Sequence, residues 1–406
     1  MMFNHRIMWL VLAFVLLVQM FNQFAISVFP PLFTEIIVDI PLTSTQMGTI
    51  MGVAMLTAIF SPIGGILSDW IGCRWVVGIS ILIAATAGGL RSVADTHFEL
   101  VACYLGIGLG FNFMFPSMPK ILGQWFPSDK LGFVNGIHMG FMALAGAGVT
   151  AIAASLLSPA LGGWRAVMLW LGASFFIVGI LWILLYRDPV LKDTSPHPGK
   201  KPLLLDNFKK VLKVRDIKLL SAMACIAGFG FIALIVFLPI SLERRGIGHG
   251  GEFTAIFMGA AVLSGAVGGW FSDRIGRRKP ILLYGMLGAG LCFLTLASLS
   301  GIPLIIMLSL AGACGGVLGP LFFTIPIELK EVGPKLAATA MSIIMLSQSV
   351  SGFLGPIIVG KLIDVTGSYE VGFFFIGGVT ALSTVFALFM TETGRKRVSM
   401  LPLQKL

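Results

Sequence analysis

Residues 7–29, "IMWLVLAFVLLVQMFNQFAISVF", hold no charged side chain across the full length that a helix needs to cross a bilayer. About 20 apolar residues span a hydrocarbon core roughly 30 Å thick. Lipid cannot satisfy backbone N–H and C=O groups, so such a segment must be an α-helix or part of a closed barrel. A barrel strand alternates apolar and polar residues over about ten positions, and this run does not alternate. Similar runs recur along the chain. They predict an all-α polytopic membrane protein of twelve spans, starting near Ile7, Ser44, Trp75, Phe98, Leu131, Trp164, Ile217, Glu252, Ile281, Pro303, Leu336 and Tyr369. Composition agrees: 57% of the 406 residues are hydrophobic and 11% are charged, against about 25% charged in soluble domains. The first run continues into Pro30 and Pro31 with no small-residue cleavage site, so it is read as a retained helix and not a signal peptide.

The net charge of +10 suggests no nucleic-acid partner here, because its cations collect in alternate loops. With the amino terminus inside, all of the 28 Lys and Arg fall on the cytoplasmic side except Arg91, Arg165, Arg244, Arg245 and Lys361. This is the bias that the positive-inside rule describes. Both termini are therefore expected in the cytoplasm, with the chain multi-pass in the cell's inner (plasma) membrane. The longest polar stretch, 187–218, is rich in Lys and Pro and reads as a linker. The expected organisation is an N-terminal six-helix bundle (1–186), a cytoplasmic linker (187–216), a C-terminal six-helix bundle (217–392) and a cytoplasmic tail (393–406). Cys73, Cys103, Cys225, Cys292 and Cys314 are scattered, which suggests neither disulfides nor a metal site.

The chain repeats one phrase. "GGILSDWIGCRW" (64–75) and "GGWFSDRIGRRK" (268–279) align with identities at Gly64/Gly268, Gly65/Gly269, Ser68/Ser272, Asp69/Asp273, Ile71/Ile275, Gly72/Gly276 and Arg74/Arg278. Each copy follows the second span of its half, which marks a parallel repeat of whole bundles. The glycines allow close helix approach. Asp69 and Asp273 are placed to accept hydrogen bonds from the exposed N–H groups of another helix start, Gly72 and Gly276 to make the tight turn, and Arg74, Arg277 and Arg278 to anchor the loop. Such a contact can act as a conformational latch between the halves.

These residues resemble the signature Gly-x-x-x-Asp-x-x-Gly-Arg-Arg of the major facilitator superfamily. The first copy matches at Gly65, Asp69, Gly72 and Arg74, with Cys73 in place of an arginine. The second matches at Gly269, Asp273, Gly276, Arg277 and Arg278. The resemblance implies a two-bundle fold and alternating access about a central site, with one chain sufficient for function. The stretch 108–141, with "GWR" (163–165) and "FLPISLERRG" (237–246), is similar to the nitrate/nitrite-porter and cyanate-permease branches. Those porters hold nitrate with arginines in helices two and eight. Residues 44–68 and 252–272 contain no Lys or Arg, which counts against nitrate itself.

Polar side chains at membrane depth are costly and define the candidate substrate contacts: Asn22, Asn112, Lys120, Asn135, His138 and Gln348. Each has a structural alternative. Lys120 also reads as a snorkelling interface residue and His138 as a packing histidine, against a proton relay or anion contact; the amides read as interhelical glue. Glu328 reads as pairing with Lys330, and Arg91 as an outer-interface anchor. No nucleotide loop, HExxH or Ser/His/Asp set is present, so no enzyme activity, cofactor or metal is expected. The function expected is proton-coupled (or other ion-coupled) uptake of a small organic anion. Export of an amphipathic compound is the second reading, and a non-transporting membrane receptor the third.

Overall fold

The computed structural model describes residues 5–127, 130–189 and 204–394. Contacts divide the chain into two compact units, Met1–Thr194 with Val236–Ala255, and Ser195–Ile235 with Ile256–Leu406. The helices in chain order are α1 (His5–Ser27), α2 (Phe33–Asp39), α3 (Ser44–Leu56), α4 (Ser61–Trp70), α5 (Cys73–Leu90), α6 (His97–Met114), α7 (Ser117–Trp125), α8 (Leu131–Ile152), α9 (Ser158–Leu161) and α10 (Trp164–Leu185). After these come α11 (Leu204–Lys213), α12 (Arg215–Arg244), α13 (Gly250–Ile275), α14 (Lys279–Thr295), α15 (Gly301–Glu328), α16 (Gly333–Thr366), α17 (Tyr369–Leu382) and α18 (Thr384–Phe389).

Among the described residues, ten helical stretches are long and apolar enough to cross a membrane, several of them built from two consecutive helices. The apolar helix Lys279–Thr295 is shorter, and α13 lies just before it. Ser44, Leu131, Trp164 and Tyr369 open their helices as expected. Local chemistry explains many of the ends. Thr43 with Gln46 and Thr96 with Glu99 form capping boxes that start α3 and α6. Left-handed Gly162 and Gly367 end α9 and α16.

In the first unit α5 packs against α6 and α10, and α1 against α8. In the second, α14 packs against α15 and α17. The α5 and α14 partnerships are the same one at the offset of the sequence repeat, His97 and Gly301 being the first residues of α6 and α15. Small residues set the spacing. A Cβ on Gly172 of α10 would lie 2.5 Å from Gly89 of α5, and one on Gly316 of α15 would collide with the Ala261 carbonyl of α13.

Candidate functional site

The first copy of the repeated motif forms the corner between α4 and α5. Gly64 lies against the Phe113 backbone so closely that a Cβ would overlap its carbonyl oxygen, and a Cβ on Gly65 would meet the Pro116 ring at 3.6 Å. At the end of α4, Asp69 Oδ1 is 2.6 Å from Lys120 Nζ on α7. The same ammonium donates to the Ser68 carbonyl at 2.8 Å, a favourable place for a cation at a helix C-terminus. Lys120 is thus brought to the motif, and its ammonium is engaged there.

Gly72 has φ of +86°, which a residue with a side chain adopts only at a cost. Here a Cβ would also lie 2.5 Å from Asp188 Oδ2. Asp188 accepts from the Cys73 and Arg74 backbone N–H groups at 3.2 and 3.1 Å. The carboxylate at the start of α5 is therefore that of Asp188, just past α10, and Asp69 turns to Lys120. Arg74 donates to the Ile183 carbonyl at 2.7 Å, and Trp182 donates to the Arg74 carbonyl at 3.2 Å. Tyr186 stacks on Trp182 with ring centroids 4.4 Å apart. Burial pushes its phenol pKa up, which keeps the hydroxyl neutral beside Trp125 Nε1 at 3.4 Å.

The second copy is built alike at the turn. Gly276 has φ of +68°. Glu392 accepts from the Arg278 and Lys279 N–H groups at 2.7 and 3.2 Å, as Asp188 does for α5. Arg278 is 7% exposed and reaches Glu328 at 2.8 Å and Ser272 Oγ at 2.6 Å. Glu328 therefore pairs with Arg278, where Lys330 had been expected. Arg277 is exposed. Gly269 and Asp273 lie on α13; what surrounds them is outside the described residues.

Sequence reasoning missed Asp188 and Glu392. They stand in register at the offset that relates Asp69 to Asp273, so the repeat, followed to the ends of the sixth and twelfth runs, contains both. It also misplaced Arg91, which is fully buried and not an interface anchor. Its guanidinium donates to the carbonyls of Ala25 at 2.8 Å and Gly88 at 3.1 Å and to the Tyr104 hydroxyl at 3.2 Å. The Phe29 and Tyr104 rings flank it. Ala25 lies in the last turn of α1, where carbonyls lose intrahelical partners, and Arg91 supplies one.

The remaining candidates are spread over several elements. Asn112 donates to Thr57 Oγ1 at 2.8 Å and to the Gly108 carbonyl at 2.9 Å, joining α6 to the turn after α3. Asn135 donates to the Leu131 carbonyl within α8 and, like Gln348 on α16, is partly exposed. Asn22 and His138 are fully buried, and both polar atoms of each lack a hydrogen-bond partner. Gln19, on the α1 face that meets α8, touches the Met142 sulfur, one turn along α8 from His138. No arrangement for breaking covalent bonds is apparent at these positions. What they offer is cation–carboxylate contacts and helix caps that can form or break.

The Major Facilitator Superfamily profile matches residues 15–268 and 250–403. A probable sulfoacetate transporter of Cupriavidus necator is 27% identical over 393 residues, covering 89% of this chain and 88% of that protein. A nitrite extrusion protein of Bacillus subtilis is 26% identical over 368 residues, with 88% of each covered. Among solved structures, an inward-facing, unoccupied bacterial homologue of the human lysosomal transporter Spinster superposes with a TM-score of 0.78 at 17% identity, covering 95% of this chain and 96% of that one.

Proposed function

The chain belongs to the Major Facilitator Superfamily and is a secondary transporter of a small solute; from that premise we propose that the solute is a small organic anion, taken up with protons. The observation that carries this reading is that relatives aligned over nearly the whole chain are named for small oxyanions, sulfoacetate and nitrite. Twelve spans complete the proposed topology: the ten long stretches, α13 and α14. Both termini lie in the cytoplasm, in an inner or plasma membrane, and one chain is the working unit. The two six-helix bundles, 1–186 and 217–392, rock about a central site. Asn135 and Gln348, whose side chains are accessible, are the proposed polar contacts to the solute. Asn112 ties α6 to the turn after α3 through Thr57. Asp69, Asp273 and their motif partners serve as latches that differ between the two access states.

The test is uptake into proteoliposomes of purified protein under an imposed inward proton gradient, with short sulfonates, carboxylates, nitrate and nitrite compared. Accumulation of one organic-anion group that a protonophore abolishes is the expected result. Accumulation indifferent to the gradient removes proton coupling. The nitrite extrusion relative favours export as the second direction. Accumulation that needs the opposite proton gradient, with the vesicle interior acidic, would select export by exchange with protons.

A further inference from the structure

The segment before α12 carries chemistry that transport does not use. In α11, "LLDNFKKVLK", Phe208 and Val211 fall on one side and Lys209, Lys210 and Lys213 on the other. Val211 is fully buried and Phe208 packs against the same apolar cluster of the second unit. Lys209, Lys210 and Lys213 are exposed, as are Arg215 and Lys218 beyond them. Among the side chains that the structure describes, no carboxylate pairs with these cations. Asp216, which adjoins Arg215, is 6% exposed and occupied by the backbone and hydroxyl of Thr391. Beside this junction is a pocket of about 380 Å³ lined by Lys213, Val214, Arg215, Asp216, Glu331 and Thr391.

The place of this helix selects the partner. α11 ends at Lys213 and the membrane-crossing stretch starts at Arg215. The turn is continuous, with Val214 N bonded to the Val211 carbonyl and Lys218 N to the Val214 carbonyl. The cations therefore stand at the headgroup layer, which is roughly 5 to 8 Å deep on each side of the hydrocarbon core. A cluster of Lys and Arg adjoining a span is attracted to anionic lipid, at about 1 kcal/mol per cation. A soluble acidic partner would have to reach them across the headgroups.

We propose that α11 and the start of α12 form a binding surface for anionic phospholipid, whose phosphate sits in the pocket against Lys213 and Arg215 while neighbouring headgroups lie along Lys209 and Lys210. This inference goes beyond the transport reading and does not depend on which solute is carried.

The full chain in neutral detergent is titrated with phosphatidylglycerol and with phosphatidylcholine, and bound lipid is counted by native mass spectrometry. Phosphatidylglycerol should bind preferentially. Its preference should fall about five-fold for each of K209Q, K210Q, K213Q and R215Q, vanish in the quadruple variant, and survive in the K209R/K210R/K213R variant. The preference should also weaken as salt is raised. K361Q, toward the far end of α16, should leave it intact. Equal binding of the two lipids overturns the proposal, as does a preference that the quadruple variant keeps. Inorganic phosphate or a soluble acidic peptide that binds as tightly as phosphatidylglycerol, and is lost with the same substitutions, would assign the surface to a soluble ligand and overturn it as well. Solute uptake in phosphatidylcholine vesicles reads the transport proposal separately.

Discussion

Arg91 carries a full charge in a fully buried place, stabilised by two carbonyls, one hydroxyl and two aromatic faces. Hydrogen bonds to a charged group are worth about 1.5–3 kcal/mol, and removing one side leaves buried acceptors unsatisfied. Arg91→Met should therefore lower stability by about 2 kcal/mol or more, with Arg91→Lys recovering part of it; thermal unfolding in detergent measures both. A loss below about 0.5 kcal/mol would mean that water replaces the guanidinium. Lys120 has a different role. Its ammonium is held by Asp69 and the Ser68 carbonyl, so Lys120→Gln should slow turnover and leave solute Kd unchanged, as read by equilibrium binding beside uptake rates. A tenfold or greater rise in Kd, about 1.4 kcal/mol, would put Lys120 in the solute path. Neither role could be read from position alone: long cations near span ends usually snorkel, and most of the groups that capture these two come from other helices.

At the scale of elements, the starts of α5 and α14 share one device, a glycine at positive φ followed by two backbone N–H groups facing a carboxylate from beyond the last long helix of the half. Removing a helix cap costs about 0.5–2 kcal/mol. Asp188→Ala and Glu392→Ala should each destabilise by about 1 kcal/mol in thermal unfolding, and Asp188→Asn and Glu392→Gln by less, since an amide oxygen still accepts. If Asp188→Ala unfolds like the parent protein, the α5 cap is satisfied by solvent. The helices themselves were legible because uncharged runs of spanning length admit few structures, and Thr43, Thr96 and Gly162 punctuate them in ways chemistry predicts. The capping acids were harder to find. A single Asp or Glu after a span is unremarkable until the repeat is extended to it, and the bond to a distant helix start is a tertiary fact. The full burial of Asn22 and His138 is tertiary too, because the position of a residue along a span gives its height in the membrane and not the direction its side chain faces.

For the molecule as a whole, the repeated corner matters because an alternating-access cycle exchanges two states, and a contact made in only one of them sets their ratio. A carboxylate that meets a helix start in one state, worth about 1 kcal/mol, changes that ratio about five-fold. If the exchange limits turnover, as conformational steps often do, the rate follows. The two corners are not equivalent in this respect. Asp69 is neutralised by Lys120, whereas the residue in register with Lys120 is Thr324, whose hydroxyl donates to the Pro320 carbonyl within its own helix. The lysine that neutralises Asp69 therefore has no counterpart in register in the second half. Asp273→Asn should slow turnover about two- to five-fold while solute Kd and membrane insertion stay as in the parent. Asp69→Asn strands Lys120 as well, so Lys120→Gln in the same chain should restore part of what Asp69→Asn loses, and should do nothing for Asp273→Asn. Uptake rates in proteoliposomes for the single and paired variants decide between this and a purely structural corner. In the structural case Asp273→Asn would lower the unfolding temperature and the yield of inserted protein, with turnover per inserted molecule unchanged.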